Sequence, residues 1–297
     1  MMETPPKRKK QISLMRGGNA RAYINYLKDT GLPFTLAVSN YTIAVDSPVI
    51  NKKFVASFQS KRTFAAFAKI KSDCKKKPTP EVRRDELVYF LHDFRRDVTV
   101  SQVINIDIRA AYATILFRDG YISEETYNYL KRCNKNERLA SVGMLASKKN
   151  IFEFVGRNVI SEETIVSPTA PFFYHAVKRT YSIMSELKRL VGNDYLFTWV
   201  DGIYFLPGNR DRFFDACAQL AYDGFEYTTA VLSDFNAELR SDRVCVTFHK
   251  DGKKKVFNLP FMNNQFKAIA LDAILSINHK NKNNEALQNH YSRTRGR

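Results

Sequence analysis

The chain has 297 residues and carries 47 Lys and Arg against 30 Asp and Glu, a formal net charge of +17. That length suits one large domain or two small ones, and 44% hydrophobic residues exclude a wholly disordered chain. Apolar runs are short, the best being 268–277 with Asp272 inside it, and none near the start precedes a small-residue cleavage site, so neither a membrane span nor a secretory signal is expected. Cysteines stand at 74, 133, 217 and 245 without a CxxC pair, which argues against structural zinc or a disulfide framework and fits a reduced, cytoplasmic setting. The surplus of positive charge concentrates polyanions, so nucleic acid is the leading partner.

Residues 1–18 are basic and Pro-containing and read as a mobile arm. Tyr23, Tyr26 and Leu27 at helical spacing predict a helix over 19–28, which the Thr30-Gly31-Leu32-Pro33 segment ends. Runs 34–38 and 41–45 around Ser39-Asn40 predict a hairpin, and Phe64, Phe67 and Ala68 share one face of a helix over 61–71. The loop Lys75-Lys76-Lys77-Pro78-Thr79-Pro80 marks the passage towards the main domain, with an N-terminal α+β region drawn over 19–98 and a helix predicted over 81–94. Val103-Ile104-Asn105-Ile106-Asp107 reads as a strand ending on a carboxylate. Helices are predicted over 110–117, 124–132, 135–146 and 170–190. Strands at 195–200 and 203–206 flank Asp201-Gly202, a dipeptide that favours a tight turn. A helix over 212–222, with Phe213, Phe214, Cys217, Leu220 and Ala221 on its apolar face, and a strand over 225–232 complete the pattern. The basic end, 279–297, reads as solvated.

With the small helices after Asp107 set aside, the order is strand, long helix, strand, turn, strand, helix, strand, the βαββαβ arrangement. In its usual form the first strand lies antiparallel beside the third, so Asp107 and Asp201 share one sheet edge. Alone, Asp201-Gly202 is a turn and Asp107 a helix cap. Together they are two carboxylates that repel unless a hard divalent cation neutralises them, and such a cation leaves positions open for phosphate oxygens. In a strongly basic chain that combination fits phosphoryl or nucleotidyl transfer on nucleic acid.

The residues around these carboxylates resemble the family B DNA polymerases. Asp107-Ile108-Arg109-Ala110-Ala111-Tyr112 is similar to the first palm motif, in which an Asp precedes a Ser-Leu-Tyr-Pro-Ser type run; Asp107 and Tyr112 match. Lys135-Asn136-Glu137-Arg138-Leu139-Ala140-Ser141-Val142-Gly143 has the spacing of the fingers motif Lys-x-x-x-Asn-Ser-x-Tyr-Gly, keeping Lys135 and Gly143. Thr198-Trp199-Val200-Asp201-Gly202 is similar to the Asp-Thr-Asp-Ser hairpin, with Asp201 as the second Asp and Trp199 in place of the first. Arg179 stands near the position of a template-contacting Arg, and Lys253-Lys254-Lys255-Val256-Phe257 is similar to the Lys-Lys-x-Tyr element at the primer end.

The resemblance implies an α+β chain with a ferredoxin-like βαββαβ palm over 99–122 and 147–260. It further implies a minimal helical fingers hairpin over 123–146, and a thumb-like helix with a basic tail over 261–297. It implies a template-directed DNA polymerase of viral or mobile-element type, using two Mg²⁺ ions, with Mn²⁺ as a substitute. Asp107 and Asp201 would hold the metals. Lys135, Tyr112, Ile108, Arg109 and Gly143 would meet the nucleotide, Tyr112 lying beneath its sugar, and Arg179, Lys148, Lys149, Lys254 and Lys255 the nucleic acid. Primer-template DNA, deoxynucleoside triphosphates and other replication proteins are the implied partners, and no membrane. Residues 1–100 lack the Asp-x-Glu pair of a proofreading domain, so no proofreading is expected. Two rivals differ in class: an inactive palm-like protein that binds nucleic acid, and a primase or terminal-transferase-like nucleotidyltransferase.

Overall fold

The computed structural model describes residues 11–14, 17–208 and 210–260. In chain order, β1 (Gln11–Leu14) is followed by α1 (Gly17–Asp29), β2 (Pro33–Ser39), β3 (Thr42–Ser47), β4 (Lys52–Ser57) and α2 (Lys61–Cys74). Next come β5 (Phe90–His92), β6 (Val98–Ile108), α3 (Ala111–Arg118), α4 (Glu124–Lys131), α5 (Lys135–Gly143), β7 (Lys148–Val155) and β8 (Asn158–Val166). The remainder is α6 (Ala170–Val191), β9 (Tyr195–Trp199), β10 (Gly202–Phe205), α7 (Arg210–Tyr222), β11 (Tyr227–Leu239), β12 (Arg243–Lys250) and β13 (Lys253–Pro260). The helices start where short polar side chains satisfy orphan amides: Ser60, Ser123 and Asn134 each accept from the backbone N–H three residues on. No described helix is long and apolar enough to cross a membrane.

The chain divides into two compact units, one of residues 1–80 with 116–173, the other of 81–115 with the chain from Tyr174 onward. The first unit holds a six-stranded sheet in the order β1-β4-β3-β2-β7-β8. Its core is Leu27, Phe34, Val45 and Phe154, with the Phe34 and Phe154 rings stacked at 4.7 Å. In the same unit α5 packs against α2, and Asp73 at the end of α2 accepts from the Ser123 N–H at 2.9 Å and hydroxyl at 2.7 Å, fixing the start of α4.

The second unit is built on a seven-stranded sheet in the order β13-β12-β11-β6-β10-β9-β5, antiparallel at every pairing. Its apolar core includes Val103, Phe197, Leu232, Phe235, Val244, Val246 and Phe248. Tyr204 stacks on Phe197 with ring centroids 4.1 Å apart. Burying each such aromatic contributes about 1.5–3 kcal/mol. The helices α6 and α7 carry buried stripes of their own, Ala176, Met184, Leu187 and Val191 on one and Ala216, Cys217 and Leu220 on the other.

Several expectations change. The stretch 81–94 is a 3₁₀ turn at Arg84–Glu86 followed by the edge strand β5, not a helix, because Phe90–His92 gain a backbone ladder against β9 that local propensity cannot anticipate. It also belongs to the second unit rather than to an N-terminal region. Gln11–Leu14, expected in a mobile arm, pairs in parallel with β4. Residues 148–166, expected in the palm, form the β7–β8 hairpin, and β7 joins β2 in the first unit's sheet. The thumb-like helix and basic tail lie outside the described residues.

Candidate active site

Alternation along β6 puts Val103, Asn105 and Asp107 on one face of the sheet and Ile104, Ile106 and Ile108 on the other. The antiparallel register sets Gly202 of β10 opposite Asp107 and Tyr204 opposite Asn105. The Ile108 N–H donates to the Asp201 carbonyl at 2.9 Å, so the turn carrying the second carboxylate is tied to the strand that carries the first. The Val200 N–H donates to the Tyr89 carbonyl at 2.6 Å from the other side. Because Trp199 pairs directly with Gly202, the two-residue turn is Val200-Asp201, one residue earlier than the expected Asp201-Gly202.

Both carboxylate-bearing connections contain a non-glycine residue in the left-handed region: Val200 at φ 56° beside Asp201, and Ala110 at φ 53° where β6 turns into α3. A β-branched residue held there costs on the order of 1–3 kcal/mol. Gly202 itself is not at positive φ, and a Cβ there would lie 3.4 Å from Asn105 Nδ2, an ordinary contact.

The charges of both carboxylates act on the same phenol. The Tyr204 hydroxyl is pushed well above the usual tyrosine range, first by burial, then by the negative charges of Asp107 and Asp201. Tyr112, in the first turn of α3, is raised by burial and then by Asp201 and Tyr89. Asp107, Asp201, Tyr112 and Tyr204 therefore form one electrostatic cluster in which the phenols stay neutral and the half-buried carboxylates retain access to solvent. No group of three or more His, Cys, Asp or Glu is gathered for a metal among the described residues. Two hard oxygen-donor carboxylates on adjoining strand ends nevertheless suit Mg²⁺, which binds through one or two carboxylates and keeps sites for water and phosphate. The donor set fits the cation.

The remaining expected residues are distributed over both units. In the second unit, Ile108 is buried on the face opposite Asp107, so its share in the site is its backbone N–H and not its side chain. Arg109 is exposed beyond the strand end. Arg179 is exposed on α6, lining a groove with Ser182, Ile183, Gln219 and Asp223. Lys254 and Lys255 are exposed on β13, beyond the Asp251-Gly252 turn whose residues both have positive φ, the type I′ requirement.

In the first unit, Lys135 is the exposed first residue of α5, but that helix start already holds a carboxylate. Asn134 Oδ1 accepts from the Glu137 N–H at 2.9 Å, and Glu137 Oε2 from the Asn134 N–H at 3.2 Å. Glu137 also accepts from Ser60 and lies 3.8 Å from Arg62. The helix dipole's preference for an anion is thus met in part by the protein itself, leaving the ammonium as the free feature. A Cβ at Gly143 would come within 3.1 Å of the Tyr41 hydroxyl, so close packing inside the first unit accounts for this glycine. Lys148 and Lys149 are exposed at the start of β7.

The chain aligns with solved structures of phi29 DNA polymerase. Its ternary complex with primer-template DNA and incoming nucleotide substrates aligns with a TM-score of 0.49 and 7% identity, over 86% of this chain and 84% of that one. The same polymerase with single-stranded DNA aligns with a TM-score of 0.44 and 8% identity, over 88% and 85%. No family model and no curated protein matches the chain.

Three residues in or beside the cluster escape a motif-based reading. Tyr204 reads as a generic strand aromatic, and Asn105 and Lys250 as a strand polar residue and a hairpin lysine. The signal for Asn105 is alternation, because it sits two residues before Asp107 and must share its face. Lys250 is joined to it across 145 positions, its Nζ 3.3 Å from Asn105 Oδ1.

Proposed function

We propose that the chain is a template-directed DNA polymerase that adds deoxynucleotides to a primer 3′-hydroxyl without proofreading, on a palm of ferredoxin-like type. The observation that carries this reading is the meeting of Asp107 and Asp201 at one sheet edge, through the Gly202–Asp107 register and the bond from the Ile108 N–H to the Asp201 carbonyl. The strand order β11-β6-β10-β9, with α6 and α7 in the two connections, supports the palm, and the net charge of +17 supports a polyanionic partner.

Asp107 and Asp201 would hold the divalent cations, which when bound polarise the attacking hydroxyl and neutralise charge on the leaving pyrophosphate. The Asp201 charge is felt at the Tyr112 phenol, and the Tyr112 ring would lie beside the nucleotide sugar, where a 2′-hydroxyl is rejected. Its raised pKa keeps it a neutral surface rather than a second anion beside the carboxylates. Lys254 and Lys255 bind primer phosphates through charge. Lys135 is assigned the triphosphate from the fingers motif alone.

Primer extension with Mg²⁺ tests the reading. Incorporation by the wild type is expected to fall by on the order of 10³-fold in Asp107→Asn and Asp201→Asn, since each removes a metal ligand worth several kcal/mol in the transition state. DNA affinity is expected to hold or rise slightly as a negative charge is lost. An active Asp201→Asn protein sinks the reading. The Glu137 carboxylate beside Lys135 and the Trp199 in the hairpin favour a second reading, an inactive palm that binds DNA. It requires DNA binding with no incorporation in Mg²⁺ or Mn²⁺. Incorporation independent of template would point instead to a terminal-transferase-like enzyme.

A further inference from the structure

Asn105 is a carboxamide in the middle of a central strand, 2% exposed. Burying such a group costs about 1–3 kcal/mol for each end left unbonded. Its Nδ2 donates to the Ile203 carbonyl at 3.3 Å, and its Oδ1 accepts from the Lys250 ammonium at 3.3 Å. An ammonium only donates and a carbonyl only accepts, so the two partners together fix the orientation of the amide. Asn105 thereby links β10 to β12 across β11, which presents the small Ala230 opposite it and leaves room for the lysine stem.

The consequence is a cation drawn out of the solvated hairpin towards Asp107, two residues and about 7 Å along the strand from it. The partner is neutral, so the charge is not cancelled there. On the same hairpin Lys253 stands opposite Lys250, Lys254 opposite His249 and Lys255 opposite Phe248. Like charges on one face of paired strands repel, and an anion shared by Lys250 and Lys253 would relieve that repulsion. By alternation Lys253 and Lys255 share the Lys250 face of the ladder, about 7 Å apart along the strand, a spacing that suits the repeating charges of a polymer better than one compact anion.

We propose that Lys250, positioned by Asn105, is a phosphate-binding cation of the carboxylate site and takes a phosphodiester of the nucleic-acid strand whose end lies at Asp107 and Asp201. The identity of the ligand rests on the reading of this site as a nucleic-acid site; the positioned cation stands on its own geometry.

The test is binding of the full chain to a labelled primer-template duplex by fluorescence anisotropy in EDTA, without nucleotide, between 50 and 200 mM salt. One lost phosphate contact lowers the slope of log affinity against log salt by about 0.9. Lys250→Gln is therefore expected to bind about eightfold more weakly at 0.1 M salt, with the deficit shrinking about 3.5-fold from 50 to 200 mM. Lys250→Arg should keep the wild-type slope. Asn105→Ala should weaken binding in the wild-type background and have no further effect in Lys250→Gln, which separates positioning from general destabilisation. An unchanged slope in Lys250→Gln, with or without a lower melting temperature, overturns the proposal. So does an effect confined to the nucleotide KM, which would make the ligand a triphosphate. A lost slope in a chain that never incorporates nucleotide leaves the phosphate contact standing and removes the polymerase reading, whereas incorporation with an unchanged slope removes only the contact.

Discussion

Tyr112 is the residue at which the proposed substrate choice meets local sequence and tertiary setting most directly. It lies five positions after Asp107, in the first turn of α3, and its phenol is held neutral by burial and by the Asp201 charge. Under the polymerase reading proposed above, replacing the ring by a methyl group would remove a wall that penalises a ribonucleotide more than a deoxyribonucleotide. In competition assays Tyr112→Ala is expected to raise ribonucleotide incorporation relative to deoxyribonucleotide by at least about tenfold while retaining activity. Equal discrimination in the two active proteins would place the sugar gate elsewhere.

At the scale of the element, the β9–β10 hairpin explains why a carboxylate at position 201 is held so firmly. Its turn is pinned from both sides, by the Val200 N–H on Tyr89 and by the Ile108 N–H on Asp201, and Val200 accepts a left-handed conformation to satisfy both. Glycine at 200 relieves that strain, while the half-buried isopropyl group and the added freedom of the unfolded chain give part of it back. A net gain of about 1 kcal/mol corresponds to a Tm about 2–4 °C higher in a chain of this size. Thermal melts of Val200→Gly should show that rise, together with slower incorporation because Asp201 is less rigidly aimed. A lower Tm would mean that the turn is not strained.

At the scale of the whole molecule, stability at high pH follows from protons buried in both units. Cys74 in the first unit is pushed from 9.0 to about 12 by burial and then by Asp73. Tyr89 in the second rises from 10.0 to about 12, chiefly by burial. Each folded pKa lies above its unfolded value, so the folded chain holds the proton more tightly. The stability this contributes is complete below about pH 9 and is lost as the pH climbs towards about 12. Urea unfolding midpoints should hold steady from pH 7 to 9 and fall progressively by pH 10.5; a constant midpoint over that range would show that these groups ionise without opening the fold.

What the amino-acid order determined by itself was local. Helical spacing and composition set α1 to α7 to within a few residues, and the Trp199–Gly202 segment contained its hairpin, because a helix turn or a tight turn is decided by residues three or four apart. The order of those elements also placed Asp107 and Asp201 at one sheet edge. Pairings between distant segments were decided only in the folded chain. Phe90–His92 became an edge strand because β9 offered it a ladder, and Lys148–Val155 joined β2 because that strand's free edge and alternating faces matched its own. Asn105 and Lys250 met only after β11 and β12 had been laid beside β6, since nothing within reach of either residue along the chain specifies a partner 145 positions away. Local signals are carried by backbone geometry that every residue shares, whereas these contacts depend on which apolar faces find each other, and that is a property of the packed molecule.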